Sequence, residues 1–393
     1  MPENWKEKYA SIRPFEPEEL PAVYERLMAN EQFRQVLAFV FPGVPADAIF
    51  QKIKSCRTSM EFQLTMCYDF LDQLMKKLCT RLDLDVTNLD KSSCYTFVSN
   101  HRDIVLDSAL LDKLLVDTGF TSTCEIAIGD NLLSLPWVKD LVRVNKSFIV
   151  RRGLPLREML LASRHLSEYM HIVINVKRSN IWIAQREGRA KDSDDRTQSS
   201  ILKMMSMAGE GTTAVERLKE LHIVPVSISY EYDPCDFLKA REYQLKRDMA
   251  DWKKTSADDV TSMRTGVLGY KGKVHYHCGS CIDEWLSELS PDIPKTELHN
   301  VIAEHIDSDI HRHYRLFPNN YIALDMLNGT SDNAGTYYSD NDKERFCKYV
   351  AAQIARITDV PDKDESYLRE RILTMYANPA INKRKASADV SQT

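Results

Sequence analysis

The sequence lacks the features that mark several large classes of protein. Its longest apolar run, Val36–Val44, is much shorter than the roughly 20 residues of a membrane-spanning helix, so we do not expect an integral membrane protein. We interpret this run as a short buried segment, with insertion into a bilayer as the alternative. Lys and Arg number 52 against 57 Asp and Glu, and the formal net charge of −5 excludes a strongly basic nucleic-acid-binding protein.

Other absences narrow the chemistry. The chain has no Gly-x-Ser-x-Gly motif, no dinucleotide-binding fingerprint and no internal repeat, which argues against an α/β-hydrolase, a nicotinamide-dependent enzyme and a solenoid. No secretory signal is recognisable at the N-terminus. We therefore interpret the nine cysteines as free thiols of a protein in the reducing cytosol.

The patterns that are present indicate an α/β protein. A chain of 393 residues with 43% hydrophobic content can bury one large core and a smaller one. Strand and helix patterns alternate in the middle of the chain, which predicts a mixed, largely parallel sheet flanked by helices. We predict an N-terminal helical domain (1–88), an α/β domain (89–290), a C-terminal helical region (291–381) and a disordered tail (382–393).

The most informative segment is Ser99–Asp107, which follows a predicted strand at 95–98 and precedes a predicted helix at 108–115. His101 then lies at the carboxyl end of a strand, where open α/β sheets place their chemistry. An acid about one helical turn further on can hold one imidazole nitrogen and leave the other free to accept a proton from an alcohol. Asp107 and Asp103 are the two acids of this segment that could take this role.

Three later strands carry charged residues at or just beyond their ends. They are Lys146–Gly153 with two arginines, Ile181–Arg189 with a Glu-Gly turn, and Ile223–Glu231 with a proline. The window from Lys139 to Arg196 holds thirteen Lys and Arg against seven Asp and Glu, although the whole chain is acidic. This local excess predicts an anionic substrate.

A possible metal site at His275–Cys281 has a simpler interpretation. Lys273–Cys278 alternates as one more strand, and a glycine follows it. Histidines at 275 and 277 then belong to a sheet, and we predict no bound metal.

In their order and spacing, the four segments resemble the four sequence blocks of the PlsC-type glycerolipid acyltransferases, the family of glycerol-3-phosphate and lysophosphatidic acid acyltransferases. The resemblance spans roughly residues 91–235 and includes Asp130–Trp137, which resembles the family's stretch between the first and second blocks. It implies the PlsC-type acyltransferase fold for the α/β domain.

The resemblance also implies an activity and its partners. A fatty acyl group would move from acyl-CoA or acyl carrier protein to a hydroxyl of glycerol 3-phosphate or lysophosphatidic acid, without a further cofactor. The large flanking helical regions resemble the larger glycerol-3-phosphate enzymes and favour that acceptor. We expect a cytoplasmic protein bound peripherally to the inner face of the plasma membrane, with no nucleic-acid partner. The alternatives are a lysophosphatidic acid acyltransferase, a head-group N-acyltransferase and an acyl- or lipid-binding protein without activity.

The resemblance assigns roles in the first block, with one departure. His101 would be the general base, Asp107 its orienting acid, and backbone amides near the following helix start would hold the oxyanion. The family usually has His-x(4)-Asp, whereas His101 and Asp107 have five residues between them, so we predict one extra residue in the turn. Asp103 stays the alternative.

The third block also departs from the family. It normally reads Glu-Gly-Thr-Arg or similar, but here Glu187-Gly188 is followed directly by Arg189. The phosphate-binding arginine is therefore shifted by one position, or Arg196 takes its role. The residues that we expect to bind the substrate are Arg102, Arg151, Arg152, Gly153, Glu187, Gly188, Arg189 and Arg196.

Overall fold

The computed structural model describes residues 4–86 and 89–390. Its centre is a seven-stranded sheet. The strands are β1 (Cys79–Val86), β2 (Thr96–Ser99), β3 (Cys124–Gly129), β4 (Ser147–Val150), β5 (Asn180–Ala184), β6 (Ile223–Tyr230) and β7 (Gly272–Cys278). Their order across the sheet is β1-β7-β6-β2-β5-β3-β4. Five neighbouring pairs are parallel and only β6 and β7 are antiparallel, which confirms the mixed, largely parallel sheet.

Helices cover both faces of the sheet and both ends of the chain. They are α1 (Trp5–Lys8), α2 (Leu20–Ala29), α3 (Glu31–Val40), α4 (Ala46–Ser55), α5 (Ser59–Phe62), α6 (Asp69–Leu78), α7 (Leu106–Asp117), α8 (Pro136–Val144), α9 (Leu156–Ile172), α10 (Ser199–Met205), α11 (Ala214–Lys219), α12 (Asp236–Asp248), α13 (Ser256–Leu268), α14 (Asp283–Glu288), α15 (Leu298–Arg312), α16 (Pro318–Asn328), α17 (Asp340–Ala355) and α18 (Glu365–Val390). Short π-helical segments at 63–68 and 173–177 and a 3-10 turn at 130–132 adjoin them.

The central strands are buried because helices cover both faces of the sheet there, whereas edge strand β1 is partly exposed. Successive side chains of a strand point to opposite faces, so Phe97 packs in the cluster with α6 and α7, whereas Val98 packs in the cluster with α9, α10 and α15. All eight residues of β6 are buried. Continuous apolar strands of this kind are typical of a parallel sheet between two helical layers.

The N-terminal segment departs from the expected boundary at residue 88. Strand β1 lies within the stretch expected to be helical, where charged Arg81, Asp83 and Asp85 alternate with Leu82 and Leu84. This alternation with a period of two residues is a strand signal. Thr87 and Asn88, on which the predicted boundary falls, lie outside the described residues.

The segment that follows α1 also packs on the α/β body. Tyr9 and Ile12 belong to the core cluster of α9, and the backbone amide of Ile149 in β4 donates to the carbonyl of Ile12 (2.9 Å). The predicted buried segment at 36–44 is only partly buried. Leu37 faces the core, whereas the side chain of Phe39 is 64% exposed.

The expected disordered tail is wrong over residues 382–390, which continue α18. Asn382 is buried and donates to Asp194 (3.0 Å), Lys383 donates to the carbonyl of Tyr314 (2.7 Å), and Arg384 also bonds outside the helix. These polar side chains are used in tertiary contacts, which composition alone does not show. Residues 391–393 lie outside the described residues.

Among the described residues, the structure has no helix with the length and apolarity that crossing a membrane requires. All nine cysteines are unpaired thiols, as predicted.

Candidate active site

His101 lies in the turn between β2 and α7. The preceding residue, Asn100, is fully buried and anchors this turn to β6, because its side chain donates to the carbonyl of Ile228 (3.0 Å) and accepts from the amide of Ile228 (2.7 Å). The imidazole packs edge-on against the ring of Trp182 in β5, with 5.8 Å between the ring centroids. The histidine is therefore held at the carboxyl end of the central strand, as the sequence predicted.

His101 and Asp107 form a hydrogen-bonded pair. Nδ1 of the imidazole lies 2.7 Å from Oδ2 of Asp107, which is completely buried in the first turn of α7. The same Oδ2 accepts from the backbone amides of Arg102 (2.6 Å) and Asp103 (3.0 Å). The hydroxyl of Tyr230 in β6 faces the other oxygen at 3.4 Å. These contacts fix the carboxylate and leave Nε2 of His101 as the nitrogen that can accept a proton.

Asp103 has a different position. Its Oδ1 accepts from the amides of Val105 (2.9 Å) and Leu106 (2.8 Å), so it caps the start of α7. Burial raises the pKa of this carboxyl, and the nearby charge of Asp107 adds to the effect. Gly266 leaves space for the side chain, because a Cβ at that position would come within 1.9 Å of Oδ2 of Asp103. The structure thus pairs His101 with Asp107.

The backbone amides near the helix start are already occupied. Those of Arg102 and Asp103 donate to Asp107, and those of Val105 and Leu106 donate to Asp103. The expectation that amides of this turn hold an oxyanion is therefore wrong for these four groups, because two carboxylates already accept their hydrogen bonds.

A cavity of about 960 Å³ lies beside this end of the sheet. Its polar side is formed by Arg151, Arg152 and Gly153, which follow β4, and by Arg186 and Glu187, which follow β5. Its apolar side is formed by aliphatic residues of the sheet and of α9 and α10, namely Ile149, Ile183, Met159, Leu161, Ala162, Leu166, Ile201 and Met204. Such a cavity suits a ligand with an anionic end and a long apolar part.

Arg152 is the best-positioned cation of the cavity. Its guanidinium lies 3.2 Å from Glu187, and its backbone amide donates to Asp130 (3.2 Å). The guanidinium packs directly over Gly129, where a Cβ would come within 2.7 Å of Nε. Glu187 is itself placed by a hydrogen bond from its amide to Gln198 (2.7 Å). The tight Glu-Gly turn is made by Gly188, which has a φ of +69°.

His101 does not line this cavity. The neighbouring strand β5, however, lines the cavity with Ile183 and Ala184. Ala184 pairs in register with Ser99 of β2, which lies two residues before His101. The His101–Asp107 pair and the cavity are thus placed by adjacent strands.

Three predicted arginines do not line the cavity. Arg102 is buried in an ion pair with Asp195 (2.6 Å), and Arg189 lies close to buried Asp233. Arg196 pairs with Asp194 (3.0 Å). Each of the three thus lies beside an acid that does not line the cavity either, so the expected convergence of these arginines on one substrate group is not seen.

We expect the buried pair of Arg102 to be structural. Replacing Arg102 by Ala would leave the carboxylate of Asp195 buried with only the hydroxyl of Tyr314 (2.6 Å) on its side chain, and we expect a loss of about 3 kcal/mol of unfolding free energy. Urea denaturation would measure this loss, with exposed Arg151→Ala as the control at under about 0.5 kcal/mol. Equal stability of the two variants would contradict a structural role.

Two side chains that line the cavity were not predicted from the sequence. Arg186 precedes Glu187 directly, and its Nε is buried without a hydrogen-bond partner among the described residues. His165 of α9 lines the cavity, and burial lowers its pKa. The position of Arg186 beside the Glu-Gly turn was a usable signal, whereas nothing local distinguishes His165 from other helical histidines.

The histidines of β7 belong to a strand, as predicted. His275 and His277 face Asp85 of β1 within 4.8 Å, but Arg315 also contacts Asp83 (3.2 Å) and Asp85 (3.5 Å). A cation of the protein thus already contacts both acids, and the absence of a bound metal stays a prediction.

The family model described as Acyltransferase matches residues 84–229. The matched segment begins in β1, ends in β6 and contains the His101–Asp107 pair together with Arg151, Arg152 and Glu187. A search of curated proteins gave no match. The match assigns an acyltransferase domain to this part of the chain and supports the resemblance on which the residue roles depend.

Proposed function

We propose that the acyltransferase domain transfers a fatty acyl group from an acyl thioester to a hydroxyl of glycerol 3-phosphate, and so makes lysophosphatidic acid for phospholipid synthesis. The observation that carries the proposal is the His101–Asp107 pair beside a cavity with a cationic side and an aliphatic side. The pair supplies a base for the hydroxyl, and the two sides of the cavity match a phosphate and a fatty acyl chain.

In the proposed reaction, Nε2 of His101 accepts the proton of the acceptor hydroxyl while the oxygen of that hydroxyl attacks the thioester carbonyl. The tetrahedral intermediate collapses, the carbon–sulfur bond breaks, and the imidazolium returns the proton to the leaving thiolate. Asp107 stabilises the imidazolium, because its carboxylate lies 2.7 Å from Nδ1. Neither a covalent acyl-enzyme nor a cofactor takes part in this scheme.

The phosphate of the acceptor would bind to Arg151 and Arg152. The guanidinium of Arg152 is held by Glu187 and Gly129, so its geometry is set before the ligand arrives. Arg151 is exposed and has no carboxylate within 4.0 Å among the described residues, which leaves its charge free for an anion. Arginines bind phosphates through paired, charge-assisted hydrogen bonds. Glu187 would orient Arg152 in this scheme.

The alternatives differ in what they need from this site. A lysophosphatidic acid acyltransferase would use the same arginines and base. A head-group N-acyltransferase would not need Arg151 and Arg152, and an acyl- or lipid-binding protein without activity would not need the contact between His101 and Asp107. No contact of the described residues favours one of them over glycerol 3-phosphate.

The test is product identification by mass spectrometry. The purified protein is incubated with glycerol 3-phosphate or lysophosphatidic acid, and with either acyl-CoA or acyl carrier protein loaded with a mixture of chain lengths. We expect lysophosphatidic acid from glycerol 3-phosphate. If the only product is phosphatidic acid made from lysophosphatidic acid, the acceptor is lysophosphatidic acid and not glycerol 3-phosphate. If no acylated product forms, an acyl- or lipid-binding protein without activity is favoured.

The arginine pair gives a quantitative prediction. Arg152→Ala removes charge-assisted contacts worth about 1.5–3 kcal/mol, so we expect the KM for the acceptor to rise about ten- to a hundredfold. Arg151→Ala should act in the same direction, whereas the KM for the acyl donor should change little. Steady-state kinetics with each substrate varied in turn would measure both constants.

Arg196→Ala is the matched control, because Arg196 is another exposed arginine of the expected set but pairs with Asp194 and does not line the cavity. We expect its acceptor KM to stay near the wild-type value. If Arg151→Ala and Arg152→Ala also bind the acceptor normally, and inorganic phosphate does not compete with it, the phosphorylated acceptor must be abandoned.

A further inference from the structure

The first turns of α9 expose an unusual concentration of large apolar side chains. Leu156 is 70% exposed, Leu161 64%, Leu160 53% and Met159 45%, all within six consecutive residues. Single exposed apolar residues are ordinary on protein surfaces, but a contiguous group marks an interaction site. We call these four residues the α9 patch.

The patch exists because only the second half of α9 is buried. From Leu166 onward, residues such as Tyr169, Met170 and Ile172 lie in the main core, whereas no residue between Leu156 and His165 is buried. The core therefore holds the helix by its C-terminal half, and its first turns project from the body.

The α9 patch is continuous with the cavity. Met159 and Leu161 belong to both, while Leu156 and Leu160 are not among the residues that line the cavity. Leu156, Met159 and Leu160 follow the i, i+3, i+4 spacing and so share one stripe of the helix. Because Met159 belongs both to this stripe and to the wall of the cavity, apolar surface runs without a break from the patch to the cavity.

The surroundings of the patch are basic. Arg151 and Arg157 lie at its start, and neither has a carboxylate within 4.0 Å among the described residues, whereas Glu158 is the single acid within residues 156–161. Lys139 and Arg143 of α8 line an adjoining depression together with Arg151 and one acid, Asp130. This positive rim stands out on a chain whose formal net charge is −5. Apolar side chains surrounded by Lys and Arg match the surface of an anionic lipid bilayer.

We propose that the α9 patch is a docking surface for an anionic phospholipid bilayer. The leucines would enter the boundary between head groups and acyl chains, and the flanking cations would contact the phosphates. Docking would place the open side of the cavity against the membrane. The benefit of docking to the reaction rests on the proposed function, because a fatty acyl substrate or product would then pass between the bilayer and the cavity.

The test is cosedimentation of the full chain with vesicles. One set contains equal parts of phosphatidylglycerol and phosphatidylcholine, and the other contains phosphatidylcholine alone. We expect the wild type to bind the anionic vesicles more strongly, and high salt to weaken the binding. The double variant Leu156→Ser, Leu160→Ser should bind the anionic vesicles at least tenfold more weakly, because two apolar side chains no longer enter the bilayer.

Val260→Ser is the matched control. Val260 is 60% exposed and also lies on a helix, α13, which precedes β7 near the other edge of the sheet. We expect it to bind vesicles as the wild type does. The proposal is overturned if the double variant binds as tightly as the wild type, if the control loses binding equally, or if the wild type binds neither vesicle. Binding of an acidic acyl carrier protein through Leu156 and Leu160, in place of vesicles, would also overturn it.

A second measurement separates this proposal from the proposed function. In the absence of vesicles, acylation of glycerol 3-phosphate by a water-soluble short-chain acyl-CoA should be the same for the wild type and the double variant. A wild type that binds vesicles through the patch but does not acylate glycerol 3-phosphate would leave the docking surface in place and remove the proposed reaction. If the double variant loses turnover and its thermal midpoint also falls, the patch has a structural role and the docking proposal is overturned.

Discussion

His101→Ala should lower the maximal rate of acyl transfer by about 10²- to 10⁴-fold, the usual cost of losing a general base. The fold should not change, because His101 lies in a turn and its main packing contact is the edge-on ring of Trp182. Release of the free thiol from acyl-CoA would measure the rate, and the thermal midpoint would report on the fold. We expect the KM of the acceptor to change much less than kcat, because the imidazole acts on the hydroxyl and not on the phosphate.

The matched control is His165→Ala, since His165 is the other histidine of this region and lines the cavity. Burial lowers the pKa of His165, which favours the neutral imidazole. We expect His165→Ala to keep at least a tenth of the wild-type kcat. If His101→Ala keeps that much and His165→Ala does not, the base is His165 and the roles in the first block are wrong.

The central part of the fold was predictable because its signals are local. The predicted strand at 95–98 and helix at 108–115 correspond to β2 (Thr96–Ser99) and α7 (Leu106–Asp117), and His101 lies between them. Periodicity within a few residues determines such elements. Edge strand β1 carried the same kind of signal in its alternating charges, but the helical pattern before it concealed the change of period.

The partners of the arginines were not predictable, because they come from distant parts of the chain. Asp195 lies 93 positions after Arg102, and Asp233 lies 44 positions after Arg189. Which charges meet depends on how the loops at the ends of β2, β5 and β6 pack. The excess of Lys and Arg between Lys139 and Arg196 therefore indicated a cationic region, but it could not separate the arginines that line the cavity from those in other contacts.

The C-terminal helix illustrates a second limit. The composition of residues 382–393 is polar, which favours disorder, yet Asn382 is buried against Asp194. The side chains of Lys383 and Arg384 likewise reach Tyr314 and Asn333. Tertiary hydrogen bonds stabilise this end of α18, and no property of the segment itself shows that these partners exist.

Spacing alone also left two acids as possible partners of His101, and the turn geometry separates them. The departure from His-x(4)-Asp is accommodated because Oδ2 of Asp107 accepts the amides of Arg102 and Asp103 as well as Nδ1 of His101. One oxygen thus closes the turn and holds the imidazole. Asp103 instead caps the helix through two amides of its own.

Because Asp107 and Asp103 make different contacts, we expect the substitution of Asn for Asp to have different effects at the two positions. In Asp107→Asn, the amide oxygen can keep the three hydrogen bonds while the NH₂ group faces Tyr230, so the geometry should survive. The negative charge that stabilises the imidazolium is lost, and we expect kcat to fall by about 10²- to 10³-fold. The KM values of both substrates should change by less than about threefold, as expected for a positioning residue that does not contact them.

Asp103→Asn is the matched control, since it removes one carboxylate charge from a buried position four residues away. Asn caps helices about as well as Asp, and burial already raises the pKa of Asp103, so loss of its charge costs little. We expect its kcat to stay within about threefold of the wild type. The reverse ranking would move the orienting role to Asp103, because only the acid that stabilises the protonated imidazole is needed as an anion during the reaction.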